Sequence, residues 1–266
     1  MSAREFAAAA LAGAVAGFAG GLFGVGGGIV LIPLLTGFFH LTQHQAHGTS
    51  LAAIGATAIA SLFVYAAHGN VAWGTAALVG VASVLTARFG ARWAARTSSR
   101  DLRRAFAFFL LLVALRLLWK APAAAGSPFA SAPLAVGFDL LLGAAIGVLA
   151  GFMGVGGGIL AVPAFTLVLG MAQQAAQGTS LAVILVTAPA GAIEHHRHGN
   201  VALRLVPGLA LGAAAGAPLA SLLAHRMPQG ILARAFALFL LVSAVQLWLR
   251  AGRGKSPRPK TDSEAG

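Results

Sequence analysis

The chain has no cysteine, which excludes disulfides, thiol nucleophiles and thiolate metal sites and leaves the redox compartment open. Acidic residues are nearly as scarce. Only six occur: Glu5, Asp101, Asp139 and Glu194 near the ends of apolar stretches, Asp262 and Glu264 close to the C-terminus. Cation carriers usually need buried carboxylates, so this scarcity argues against sodium or metal-cation transport, although Asp139 and Glu194 could serve as proton relays near a membrane face. For Asp139, a helix-start position at the interface is the simpler reading. The glycine runs lack the Lys-Ser/Thr of a P-loop, and Ile29 fills the last glycine place of a Gly-x-Gly-x-x-Gly beginning at Gly24. No Ser–His or carboxylate pair recurs at a spacing suited to hydrolysis, so the chain does not read as an enzyme. It implies no cofactor.

What is present is apolar. Of the 266 residues, 58% are hydrophobic and 9% charged, with a mean hydropathy of +0.85. These values describe an all-α polytopic membrane protein whose surroundings are a lipid bilayer. Most of the 18 Lys and Arg stand in short runs beside apolar segments, where they mark topology and meet lipid headgroups rather than nucleic acid. Residues 1–22 read as a retained helix, since no large polar domain follows for a signal to export.

A shift of 130 residues superimposes the two halves without a gap from Gly17 to Ala72. Gly-Val-Gly-Gly-Gly at 24–28 returns at 154–158, Pro33 as Pro163, Gly48-Thr49-Ser50 as Gly178-Thr179-Ser180, and His68-Gly69-Asn70-Val71-Ala72 as residues 198–202. The chain divides into an N-terminal repeat (1–120), a Pro/Ala/Gly/Ser linker (121–133), a C-terminal repeat (134–250) and a basic, disordered tail (251–266). Each repeat holds a long glycine-broken segment (6–39, 134–171) and three plainer helices (49–67, 71–94, 102–119; 179–195, 201–224, 231–249). That makes eight apolar segments.

As one helix, residues 6–39 would be about 50 Å long against a hydrocarbon core of about 30 Å. The break belongs between Gly24 and Pro33, where glycines permit unusual backbone angles and proline removes a donor. Freed backbone groups need protein or water, which favours a cavity over a lipid-facing kink; a small-residue notch for close packing is the alternative. If each broken segment is a hairpin that crosses twice, one face carries Arg4, the six arginines from 88 to 104, Arg197, Arg204 and the five cations from residue 250 on. Arg116, Lys120, Arg226 and Arg234 are left on the other. Single crossings give no such asymmetry, so the charge rule favours the hairpin and inverted repeats. Residues 29–43 are short for a crossing, so a re-entrant half-helix with parallel repeats stays open.

Gly-Thr-Ser is expected just before an apolar helix, where its hydroxyls either cap free N–H groups or contact an anion at the helix N-terminus. The candidate binding residues are therefore Gly26, Gly27, Gly28, Thr49 and Ser50 with their repeats Gly156, Gly157, Gly158, Thr179 and Ser180. His47 and its counterpart Gln177 join them, breaking the symmetry. His68 and His198 mark loop ends, and Asn70 and Asn200 are turn residues. His195, His196 and His198 beside Glu194 do not make a metal site, because adjacent helical histidines diverge.

The doubled set (Gly-x-Gly-Gly-Gly with proline five residues on, then Gly-Thr-Ser, then Gly-Asn-Val) resembles the TauE/SafE sulfite exporter family over nearly the whole chain except the tail. The resemblance implies a multi-pass permease of a bacterial-type inner membrane that moves sulfite or organosulfonates, usually outward. The residues themselves fit a secondary anion transporter with alternating access between two halves. A passive anion channel, a permease for another organic anion and a non-transporting scaffold are the alternatives, and the oligomeric state stays open.

Overall fold

The computed structural model describes residues 2–94, 99–119, 132–153 and 157–253. Gly156, most of the expected linker and nearly all of the tail lie outside them. The described residues form ten helices, five from each repeat: α1 (Ala3–Phe23), α2 (Gly28–Gly37), α3 (Gln43–Ala67), α4 (Trp73–Ala94), α5 (Ser99–Trp119), α6 (Ala132–Met153), α7 (Gly158–Leu167), α8 (Gln173–Arg197), α9 (Val206–Arg226) and α10 (Gln229–Arg253). Helices α1, α3, α6, α8, α9 and α10 are long and apolar enough to cross a membrane. The apolar parts of α4 and α5 are shorter, Trp73–Ala87 and Ala107–Trp119.

Each glycine-broken segment is divided as its composition requires. Gly24 and Gly27 adopt φ of 69° and 86°, left-handed values that L-residues with side chains avoid. Gly24 ends α1 and Gly27 starts α2; Gly157, at φ 77°, starts α7 in the same way. With ten residues each, α2 and α7 are about 15 Å long, half the hydrocarbon thickness.

Glycine contacts fix the relative directions of the helices. A Cβ at Gly13, Gly17 or Gly21 would run into the backbone of Leu209, Ala213 or Ala217, so α1 and α9 lie side by side and parallel. By the internal repeat, Gly143 and Gly147 of α6 meet Val79 and Ser83 of α4 in the same sense. The first helix of each repeat thus packs on the fourth helix of the other. The equivalent helices α3 and α8 run antiparallel, because Gly48 meets His195 and Asn200 while Gly178 meets Tyr65 and Asn70. Antiparallel equivalents mean inverted repeats. The chain also turns back at the glycines, since Gly27 lies against the Ala16 carbonyl, well short of the end of α1. The reversal predicted from the arginines is present, made by a half-helix rather than a full crossing, and the parallel-repeat alternative is excluded.

Because the chain lacks cysteine, sidedness can be read with single thiols. Ala67 and Arg197 are repeat equivalents, exposed at the ends of α3 and α8. Ala67→Cys and Arg197→Cys are expected to react with a membrane-impermeant maleimide from opposite faces of oriented vesicles; labelling from one face would contradict the inverted arrangement.

Candidate functional site

The two glycine turns meet. A Cβ at Gly158 would lie 3.1 Å from the Val25 backbone and 2.5 Å from Ile184 Cδ1, and one at Gly26 would touch Ile184 and Ile54. The N-termini of α2 and α7 therefore open onto one buried junction, walled by α3 and α8. Neither N-terminus has a side-chain cap. First-turn N–H groups have no partner within their own helix and carry the positive end of the helix dipole, so the junction suits negative charge without a fixed cation. Ser180 Oγ reaches the Gly158 carbonyl at 3.4 Å, which brings the second Gly-Thr-Ser to the edge of the junction.

Gly-Thr-Ser itself is not a helix start. Helix α3 begins six residues earlier than the expected 49, at Gln43, where Thr42 and Gln45 form a reciprocal capping box; α8 begins at Gln173. The local signal was outcompeted because Gln43–His47 and Gln173–Gln177 are polar but helix-compatible. Thr49 and Thr179 are fully buried one or two turns inside. Each accepts a hydrogen bond from the loop of the opposite repeat: Ala202 N–H donates to Thr49 Oγ1 at 2.9 Å and Ala72 N–H to Thr179 Oγ1 at 3.0 Å. Gly48 and Gly178 admit the carbonyls of Asn200 and Asn70 beside them. Gly-Thr-Ser of one repeat is thus the socket for Gly-Asn-Val-Ala of the other. Thr49 and Thr179 cap a helix entry, but across the repeats rather than locally.

The asymmetric pair is also placed. Gln177 is fully buried against Gly24, and its Oε1 lies 2.9 Å from the Tyr65 hydroxyl, which is also 3.0 Å from the Gly21 carbonyl. Its Nε2 is buried and has no partner. His47, by contrast, is half-buried and bonds Gln43 along its own helix at 3.1 Å. Asp139 is not an exposed helix start: it is buried inside α6 and hydrogen-bonded to Thr75 of α4. Glu194 is exposed and pairs with Arg197 at 3.7 Å.

Sequence reasoning missed a polar cavity of about 520 Å³ where α3 and α9 end and α8 and α10 begin, lined among others by His68, Gln174, His225 and Arg226. On its wall Gln174 Oε1 is buried without a partner, as are both amide atoms of Gln173, the preceding residue. Gln173-Gln174 opens an apolar segment. Length and hydropathy mark that segment as a spanning helix whether or not its end is polar, so the pair carries no signal of its own.

Ten helices with paired half-helices in inverted repeats define a multi-pass membrane protein of the transporter type. The family described as Sulfite exporter TauE/SafE matches residues 2–117 and 138–265, and the chain belongs to that family of membrane transporters. It is 30% identical over 237 residues to the "Probable membrane transporter protein YunE" of Bacillus subtilis (strain 168), covering 77% of this chain and 85% of the relative. It is 30% identical over 246 residues to a "Probable membrane transporter protein" of Xylella fastidiosa (strain 9a5c), covering 90% and 93%. A relative from Methanocaldococcus jannaschii, "Probable membrane transporter protein MJ0441", is 28% identical over 194 residues, 70% of each chain. No solved structure matches.

The cross-repeat bonds set a stability expectation. Thr49→Val or Thr179→Val keeps shape but strands a backbone N–H, at a cost of about 1–3 kcal/mol. Because the two contacts are equivalent, thermal unfolding in detergent is expected to show similar losses for both variants, with anion affinity of the folded fraction unchanged. A selective loss of affinity would return these hydroxyls to the substrate.

Proposed function

We propose that the protein is a secondary transporter of small anions, sulfite or organosulfonates, acting outward across a bacterial-type inner membrane. The observation that carries this reading is the junction at Val25 and Gly158, where two uncapped half-helix N-termini meet between antiparallel α3 and α8. Such a site holds an anion by N–H donors and dipoles and releases it readily, because no fixed countercharge has to be separated from it. The scarcity of buried carboxylates fits the same sign of substrate.

The bodies that move against each other are not the two halves of the sequence. Helix α1 packs on α9 and α6 on α4, while α2 and α3 join the first pair and α7 and α8 the second. Alternating access is then a rocking of α1–α2–α3–α9 against α4–α6–α7–α8 across the α3–α8 contact. Gly26, Gly27, Gly28, Gly157 and Gly158 supply the backbone that meets the anion; Ser180, at the Gly158 carbonyl, and Gln177, against Gly24, are side-chain donors close to it. Thr49 and Thr179 hold the frame.

Reconstitution into liposomes with labelled sulfite, an alkanesulfonate, sulfate and a carboxylate tests the proposal. Saturable uptake with counterflow is expected for sulfite or the sulfonate; unsaturable conductance would make the protein a channel, and no flux of any anion would leave a scaffold. Gly158 has helical geometry, so Gly158→Ala adds only a methyl that crowds Val25 and Ile184. We expect transport to fall at least about tenfold while insertion is normal, corresponding to a barrier raised by about 1.4 kcal/mol. Wild-type flux in this variant would make the junction a packing contact only.

A further inference from the structure

The cavity at the end of α3 and α9 carries chemistry that the junction does not use. His68 and His225 stack there with ring centroids 4.1 Å apart and planes 29° from parallel. Each imidazole spends Nδ1 on its own helix: His68 on the Val64 carbonyl at 2.7 Å, His225 on the Ser221 carbonyl at 2.7 Å. A carbonyl can only accept, so both Nδ1 atoms carry hydrogen and both Nε2 atoms keep a lone pair, that of His225 buried without a partner. Tyr65 packs on the other side of His225, 4.6 Å between centroids, and Arg226 follows on α9. Among the described residues no carboxylate lines the cavity, and the ionisable groups around His225 are the Tyr65 phenol, the His68 imidazole and the Arg226 guanidinium. Gln174, nine-tenths buried on the same wall, turns Nε2 toward the carbonyls of Ala224 and Met227 and leaves Oε1 unpartnered.

A cavity with a permanent cation, two imidazoles able to take up a proton and no countercharge is matched by an anion that arrives with a proton. The repeat shows that packing does not require this arrangement. His68 recurs as His198, but His225 corresponds to Ala95 and Gln174 to His44, so the stack belongs to one end of the molecule. That end lies opposite the face where Glu5 pairs with Arg204.

Resting on the anion-transport reading, we infer that this cavity is a second, proton-linked oxoanion site, with Arg226 as the fixed charge and the His68–His225 stack as the acceptor of one proton. Stacked rings at this distance disfavour two positive charges, so one proton is taken up per anion. The chemistry suits a sulfonate or sulfate oxygen in solution; a lipid phosphate at the membrane edge offers the same oxygens.

Binding of sulfate and methanesulfonate, whose charges do not change between about pH 6 and about pH 8, is to be measured by calorimetry on the full-length protein in neutral detergent, with flux in liposomes in parallel. Affinity is expected to be higher at about pH 6 than at about pH 8 by more than about tenfold, up to the roughly hundredfold that uptake of one full proton per anion gives over that range. Arg226→Gln, an exposed position, is expected to weaken binding at least about tenfold, and Arg226→Lys to restore most of it. His225→Gln is expected to remove the pH dependence while the about pH 8 affinity holds; His68→Gln, at an exposed position, does the same if His225→Gln does not fold. Unchanged affinity and pH dependence in these variants, with flux intact, would overturn the second site and leave the transport reading standing. Proton-linked binding without flux would overturn that reading and leave the site. Absence of binding to the wild type, or binding of phosphatidylglycerol that the soluble anions cannot displace, would overturn the site.

Discussion

A helix broken inside hydrocarbon leaves backbone polar groups with no solvent to take them, and this fold is a solution to that problem made twice. At the end of α1 the Gly20 carbonyl takes the Gly24 and Val25 N–H groups, while the Gly21 carbonyl is met by the Tyr65 hydroxyl from α3 and by Ser221 from α9. Those partners can reach it only because α1, α3 and α9 approach closely, and they approach closely because α1 presents glycine at 13, 17 and 21. The break and the small-residue notch, alternatives when seen in sequence, depend on each other. The first N–H donors of α2 and α7, which no side chain caps, are the groups that the anion-transport proposal draws on.

Much of this was legible in the residues. The 130-residue repeat, the break between Gly24 and Pro33, and the loop character of His68 to Asn70 all follow from glycine, proline and self-similarity, which act locally. The reversal of direction came from the arginine distribution, a global signal. What could not be read locally was the partner of Thr49. Its hydroxyl serves a backbone N–H 153 residues away, and nothing in a Gly-Thr-Ser tripeptide distinguishes a local cap from one that reaches across the molecule. Capping box residues Thr42 and Gln45 were a competing start signal, six residues upstream of the expected helix. The cavity is illegible locally for a similar reason: it is assembled from the ends of four helices.

The exchange of α4 and α9 between repeats also changes what a repeat is. Sequence similarity divides the chain at its middle, yet the packed bodies each combine three helices of one repeat with the fourth of the other. Inverted symmetry makes the two bodies alike in backbone and leaves side chains free to differ. His47 opposite Gln177 and Ala95 opposite His225 are where they do.

The α1–α9 contact has a consequence for how the protein is made. Helix α1 leaves the ribosome well before α9, and the surface that its glycines fit begins at Val206. At about 5–20 residues per second, roughly ten to forty seconds of synthesis separate the two. During that interval α1 sits in lipid with its notch unfilled and the freed carbonyls of its last turn lacking their partner from α9. The nascent chain therefore depends on the insertion machinery, or on transient neighbours, to shelter a helix whose place in the fold is not yet built, and a transcript ending before α9 would encode helices that insert but cannot assemble.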